Sequence, residues 1–324
     1  MALSGNLAVA EATREKVAFV ARRLGYVPNH AAQSLRARRQ NALALVIPHS
    51  SAHVFSHPYF MEVLRGISET ASSSGFTVVL SVSAREGFVE DAYLKILDSR
   101  RVDGVIVASA ATYDPNIARL AASAHSFVVL GRYPLDQSVN AVGVEDRSGA
   151  YEATSHLIEQ HGHQLVAHIS GPGGHQSAAD RLEGYRDALG VHSLPYESGL
   201  VIEGDYSADS GYAAAHRLFQ KRPRPTSIFA ANDEMAFGVL RAAAETSVEV
   251  PKDIALIGFD DIQLASVVGP SLTTVHQPMI ETGALAAKRL IDILEGRLGT
   301  PRQIELPTRL VVRQSCGCSQ RPQI

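Results

Sequence analysis

The sequence predicts an α/β protein with two similar parallel-sheet subdomains, a ligand cleft between them and a short helical segment ahead of both. Three observations carry this. Near-continuous runs rich in Val, Ile and Leu at 42–48, 76–82, 103–109, 127–130 and 141–145 are separated by stretches of helical length, the pattern of strands buried on both faces in βαβ units. The rhythm restarts at 165–170, 200–203, 227–231 and 254–259, with helices near 177–190, 207–221 and 233–246, so a second sheet of the same kind follows the first. At 324 residues, with 45% hydrophobic against 19% charged content, the chain can fill two cores and is not a disordered tail.

Taken in order, residues 13–26 place Val17, Val20, Ala21 and Leu24 at i, i+3, i+4, i+7 spacing and close with Gly25, a common residue just past a helix end. Pro28 biases Val27 to extended backbone, and Asn29 can cap a second, short helix whose Ala-rich run carries Leu35 and ends in Arg36, Arg38 and Arg39. Such a helix suits the DNA minor groove, with arginines on phosphates and the leucine wedged at a base step. The same residues also describe an interdomain linker with a solvated basic end. Net charge is −3, so nucleic-acid affinity must come from a local patch, which Arg22, Arg23, Arg36, Arg38 and Arg39 provide. The two sheets follow, and their strand C-termini face a shared cleft, the usual ligand position in open α/β folds.

The helix over 13–26, the link Gly25-Tyr26-Val27-Pro28-Asn29 and the segment Ala32-Gln33-Ser34-Leu35-Arg36 together resemble the last DNA-domain helix and hinge helix of the LacI/GalR family of repressors, and the likeness runs on through the chain. The resemblance implies a periplasmic-binding-protein-like fold, a homodimer, operator DNA as partner and a sugar or related small polar effector. Effector binding would close the cleft and shift paired hinge helices that fold only against DNA. The implied DNA contacts are Asn29, Ala32, Gln33, Leu35, Arg36, Arg38 and Arg39. In that family a helix-turn-helix precedes this segment; here only Ala2-Leu3-Ser4-Gly5-Asn6 corresponds to its tail, and Ala10 stands where a capping Ser or Thr is usual. The segment 272–278 resembles the family's return crossover, after which a helix near 280–296 packs on the first subdomain and a strand near 308–313 completes the second. Expected domains are a DNA-binding and hinge remnant at 1–40, a first subdomain of 41–143 plus 276–304, a second of 144–275 plus 305–315, and a tail at 316–324. Three crossings between subdomains allow hinge bending.

Four motifs sit where strands end. Phe55-Ser56-His57-Pro58-Tyr59-Phe60 resembles the family's aromatic loop after the first strand; Phe55, Tyr59 and Phe60 can stack on the apolar face of a sugar or pack in the core. Arg181-Leu182-Glu183-Gly184-Tyr185 resembles a family motif whose arginine enters the cleft, where it can donate a bidentate pair to hydroxyls or a carboxylate; on residues alone it can equally bridge on a helix surface. Asn232 can cap the helix after Phe229-Ala230-Ala231, bond the ligand, or both. Asp260 matches the family's ligand-binding aspartate, with service to turn amides as the plain alternative. Arginine, asparagine and aspartate converging on aromatic rings describe a polyol site. At Gly131-Arg132 many relatives carry an aspartate in place of the glycine, and Arg132 adds a positive group that favours an anionic ligand.

Other chemistry is weakly represented. Gly171-Pro172-Gly173-Gly174 lacks the Lys-Ser/Thr of a phosphate loop and reads as a turn. His161-Gly162-His163 has no third ligand at zinc spacing and reads as a helix end, and Cys316-Gly317-Cys318 reads as a mobile tail. Two cysteines are too few for a disulfide framework. With no nucleophile, zincin or dinucleotide motif, the expectation is a non-enzyme with neither cofactor nor metal. No membrane-length apolar run or signal-peptide pattern is present, which predicts a cytoplasmic protein. The competing reading is a periplasmic-type sugar-binding protein of a transporter, which shares the two-lobed fold; the hinge segment favours the regulator.

Overall fold

The computed structural model describes residues 10–24, 39–83, 92–136, 138–297 and 300–318. Helix α1 (Glu11–Arg23) starts at Ala10, whose carbonyl accepts from the amides of Thr13 and Arg14. Alanine has no side-chain acceptor, so the first turn lacks the cap that Ser or Thr would supply. Val17, Val20 and Leu24 share the spacing read from sequence, yet all three are exposed, as is Phe19. The expected DNA contacts Asn29, Ala32, Gln33, Leu35, Arg36 and Arg38 lie outside the described residues. Arg39 is described, and its guanidinium donates to the carbonyl of Leu294 at 2.6 Å.

The first sheet runs β11-β5-β4-β3-β1-β2, all parallel: β1 (Ala42–Ser50), β2 (Thr77–Ser83), β3 (Gly104–Ala108), β4 (Ser126–Leu130), β5 (Ala141–Val144) and β11 (Gln303–Leu306). Alternate residues of β1 serve opposite faces, as the two-residue period of a strand requires. Leu43, Leu45 and Ile47 pack under helices α3 (Pro58–Ser73) and α10 (Met279–Leu294), while Ala44 and Val46 pack under α4 (Ala92–Asp98) and α5 (Pro115–Ala121). Helices α3 and α10 approach backbone to backbone, because a Cβ on Gly66 would overlap the carbonyl of Ile280 and one on Gly283 the carbonyl of Val63.

The second sheet repeats the plan in the order β12-β10-β9-β8-β6-β7: β6 (Val166–Ser170), β7 (Val201–Glu203), β8 (Ser227–Ala230), β9 (Ala255–Asp260), β10 (Thr273–His276) and β12 (Arg309–Val311), the last antiparallel. Helices α6 (Asp146–His161) and α7 (Gln176–Val191) cover one face, and α8 (Ala208–Phe219) and α9 (Asp233–Glu245) the other.

Several sequence expectations change. β10 and β11 were not legible as strands, since the first is rich in threonine and the second alternates along a half-exposed edge. Glu305 and Leu306, expected in the second subdomain, pair with Gly143 and Val144 in the first sheet, and His276, expected in the first, pairs with Asp260 in the second. The chain therefore changes sheets at Glu145, at 277–278 and at 307–308. The aromatic loop is helical: Ser50 Oγ accepts from His53 N and caps α2 (Ser51–Ser56), and Pro58 opens α3 at its first position. Cys316 is no tail residue, since it is buried against the second sheet, where Ser315 Oγ donates to Leu256 O at 2.6 Å.

Candidate ligand site between the sheets

The C-terminal ends of both sheets open onto one cavity of about 150 Å³, walled by Tyr59, Phe60, Arg132, Arg181, Asn232 and Asp260 together with residues that sequence reading did not single out. Arg181 is its polar centre. Its guanidinium lies 3.7 Å from the Phe259 ring centroid, donates through Nε to Asp146 Oδ1 at 2.7 Å and through Nη1 to Ala231 O at 2.5 Å, and stands 3.8 Å from Asp260 Oδ1. Arginine suits this role because its planar fork can meet several acceptors at once while its face rests on an aromatic ring. The helix-surface alternative for Arg181 does not hold, since the residue is 5% exposed.

Asp260 ends β9 with φ at +119°, a conformation that a non-glycine residue adopts only when its surroundings impose it. Its Oδ1 accepts from Gln277 Nε2 at 2.5 Å, so its carboxylate serves a side chain rather than turn amides alone. Burial pushes the Asp260 carboxyl up to about 7, against the opposing pull of Arg181 and Gln277. Asp146 is likewise raised by burial, with Arg181 pulling it down. Asn232 caps α9, its Oδ1 accepting from Met235 N at 3.0 Å, while its Nδ2 donates to Tyr206 O at 2.9 Å. A ligand reaching Asn232 would share the second lone pair of Oδ1 or displace the Tyr206 contact.

One expected site residue lies away from the cavity, and another lies in it with its charge already paired. Phe55 is 59% exposed on α2 and does not wall the cavity, because the break at His57 between α2 and α3 puts it out of phase with Tyr59 and Phe60. Arg132 walls the cavity but is no free cation: it makes a bidentate pair with Asp180 at 2.5 and 2.8 Å across the cleft and lies 3.6 Å from Glu305. The anionic-ligand inference drawn from it loses its basis.

The residues that sequence reading missed are Asp146, Gln277 and a set of imidazoles. Asp146 opens α6 directly after a strand, where an acidic residue reads as a complement to the helix dipole. His49, His53 and His57 recur every four residues, a signal that was available; the rings of His49 and His53 stack at 4.6 Å, those of His53 and His57 lie 4.2 Å apart, and His175 of the other sheet lies 6.0 Å from His49. Burial lowers both His57 and His175 below the ordinary histidine value, so both are neutral at pH 7 and offer donor, acceptor and flat carbon surface.

The lips of the cleft touch. Thr112 N donates to Gly174 O at 2.7 Å, alongside the Arg132–Asp180 pair. The Gly171-Pro172-Gly173-Gly174 turn is thus one half of an intersheet contact.

A family model described as a periplasmic binding protein-like domain matches residues 154–316. Over 316 residues the chain is 35% identical to the HTH-type transcriptional regulator CelR of Thermobifida fusca, a match covering 97% of this chain and 92% of that protein. Among solved structures, a CelR–cellobiose complex matches with a TM-score of 0.81 at 33% identity, covering 97% of this chain and 94% of that one. A LacI family transcriptional regulator from Enterococcus faecium with bound ribose matches with a TM-score of 0.74 at 29% identity, covering 86% of this chain and all of that one, 100%.

Proposed function

The chain belongs to the LacI/GalR family of ligand-responsive transcriptional regulators, and from that premise we propose that its effector is a neutral, monosaccharide-sized polyol held in the cavity between the sheets. The observation that carries this reading is the buried array of Asp146, Arg181 and Asp260, with Gln277 beside it and neutral imidazoles and Tyr59 nearby. Fixed acceptors and donors of this kind match vicinal hydroxyls, and ring faces match a sugar's C–H surface. Size supports the reading: a cavity of about 150 Å³ is on the scale of one that takes a single six-membered ring. Charge supports neutrality. Arg181 already faces Asp146 and Asp260, and Arg132 faces Asp180 and Glu305, so an anion finds no unpaired cation at either arginine.

The protein acts by binding rather than catalysis, in the cytoplasm, as a homodimer on operator DNA. In this reading Asn29, Ala32, Gln33, Leu35, Arg36, Arg38 and Arg39 form the hinge contact. Closure of the cleft changes the separation of two such hinges and with it DNA affinity, a coupling of order 1–3 kcal/mol. No described helix is long and apolar enough to cross a membrane.

A melting screen of neutral sugars, sugar alcohols and sugar acids tests the proposal. A true effector at about 100 times its Kd adds roughly 2.7 kcal/mol of stability. Neutral monosaccharide-sized compounds are expected among the hits and should alter affinity for an operator selected from random duplex. Hits confined to sugar acids would overturn the charge argument, and no hit among sugars would overturn the effector class.

A further inference from the structure

We propose that His156, His161, Cys316 and Cys318 form a Cys2His2 site for a zinc-class divalent cation, which fastens the segment after β12 to the end of helix α6. Both cysteines of the chain are in this cluster. The two histidines come from the last turns of α6 and the two cysteines from a point more than 150 residues later, so only the fold brings them together. The four potential ligand atoms all lie within 4.8 Å of one another.

The geometry suits a tetrahedral ion. Ligand bonds of about 2.0–2.1 Å to nitrogen and about 2.3 Å to sulfur imply tetrahedron edges of roughly 3.3–3.8 Å. Cys318 Sγ is already 3.2 Å from His161 Nε2 and 3.5 Å from His156 Nε2. Both imidazoles present the same nitrogen to one sulfur, with ring centroids 5.5 Å apart and planes inclined by 65°, as two separate vertices require. Between the cysteines, Gly317 has φ at +97°, a turn that folds Cys316 and Cys318 into one cluster and that a residue with a Cβ would resist.

The surroundings are those of a thiolate site. Cys316 is buried, and Thr273 Oγ1 donates to its Sγ at 3.2 Å. The same Thr273 oxygen accepts from Arg313 N at 2.8 Å, which leaves its proton for the sulfur. Donors of this kind orient and stabilise metal-bound thiolates. Two thiolates and two neutral imidazoles sum with a dipositive ion to zero net charge, acceptable in a partly buried position. Four protein ligands leave no open position, so the site is structural rather than catalytic. His163 is a natural control: it lies 6.0 Å from His161 and engages Thr226 Oγ1 at 2.9 Å.

The test uses the full chain, stripped with chelator, kept reduced and titrated with Zn²⁺ or Co²⁺ alone. One equivalent is expected to bind, with the intense d–d bands of tetrahedral cobalt and a thiolate-to-cobalt charge-transfer band, and zinc is expected to raise the melting temperature. Cys318→Ser and His161→Asn should each lower affinity roughly tenfold or more, while His163→Ala should not. Circular dichroism of each metal-free variant reports whether it has folded, and His156→Gln repeats the test at a separate ligand. Uptake below about a tenth of an equivalent, octahedral cobalt without a thiolate band, unchanged affinity in folded Cys318→Ser, or a Cys316–Cys318 disulfide that persists under reducing conditions would each overturn the proposal.

Discussion

Asp260 combines a left-handed backbone, burial and a partly satisfied carboxylate, a combination that costs stability and suits a ligand contact. Its folded value of about 7 stands above the unfolded 3.8. A group raised in this direction contributes stability that is complete below about pH 4 and is lost as pH rises to about 7. The buried histidines, lowered by burial, act in the opposite direction, so the expectation is differential. Between pH 5 and pH 8 the ligand-free parent should lose stability relative to Asp260→Asn, and that variant should also weaken effector binding. Urea titrations at the two pH values check it; equal pH dependence in parent and variant would contradict the assignment. Sequence placed Arg181, Asn232 and Asp260 at the cavity wall because motif and strand-end position together locate them. Asp146 escaped because a first-turn aspartate has an ordinary explanation, and Phe55 was misplaced because a helix break resets which way a side chain faces.

Helices α3 and α10 touch through Gly66 and Gly283, and α3 carries Tyr59 and Phe60 into the cavity on its first turn. Gly66→Ala places a methyl group on the Ile280 carbonyl, where two backbones must separate. The expected cost is about 1–3 kcal/mol of stability, accompanied by weaker effector binding as α3 shifts. Chemical denaturation and titration of one variant measure both; loss of stability alone would uncouple α3 from the site. Most strands and helices were legible because buried parallel strands read as continuous apolar runs. β10 and β11 were not, since pairing with neighbours distant in sequence, rather than their own composition, makes them strands.

Across the whole molecule, the Arg132–Asp180 pair and the Thr112–Gly174 hydrogen bond both join the cleft lips, beside the His49–His175 ring contact. Asp180→Asn removes the ionic one. Small-angle scattering should show a larger radius of gyration for the ligand-free variant, and effector affinity should fall about fivefold if the pair is worth roughly 1 kcal/mol. Unchanged scattering would mean that the lips meet without its help. The doubled architecture was legible in the repeated strand rhythm, whereas the points where the chain changes sheets shifted by a few residues, because composition does not mark a crossing. Among the described residues, strands β11 and β12 follow all the other strands, and each finishes the rim of a different sheet. The two halves, though separately cored, must therefore mature together late in synthesis. A nonsense mutation between β10 and β11 would leave two raw sheet edges open to aggregation instead of one damaged half beside one sound one.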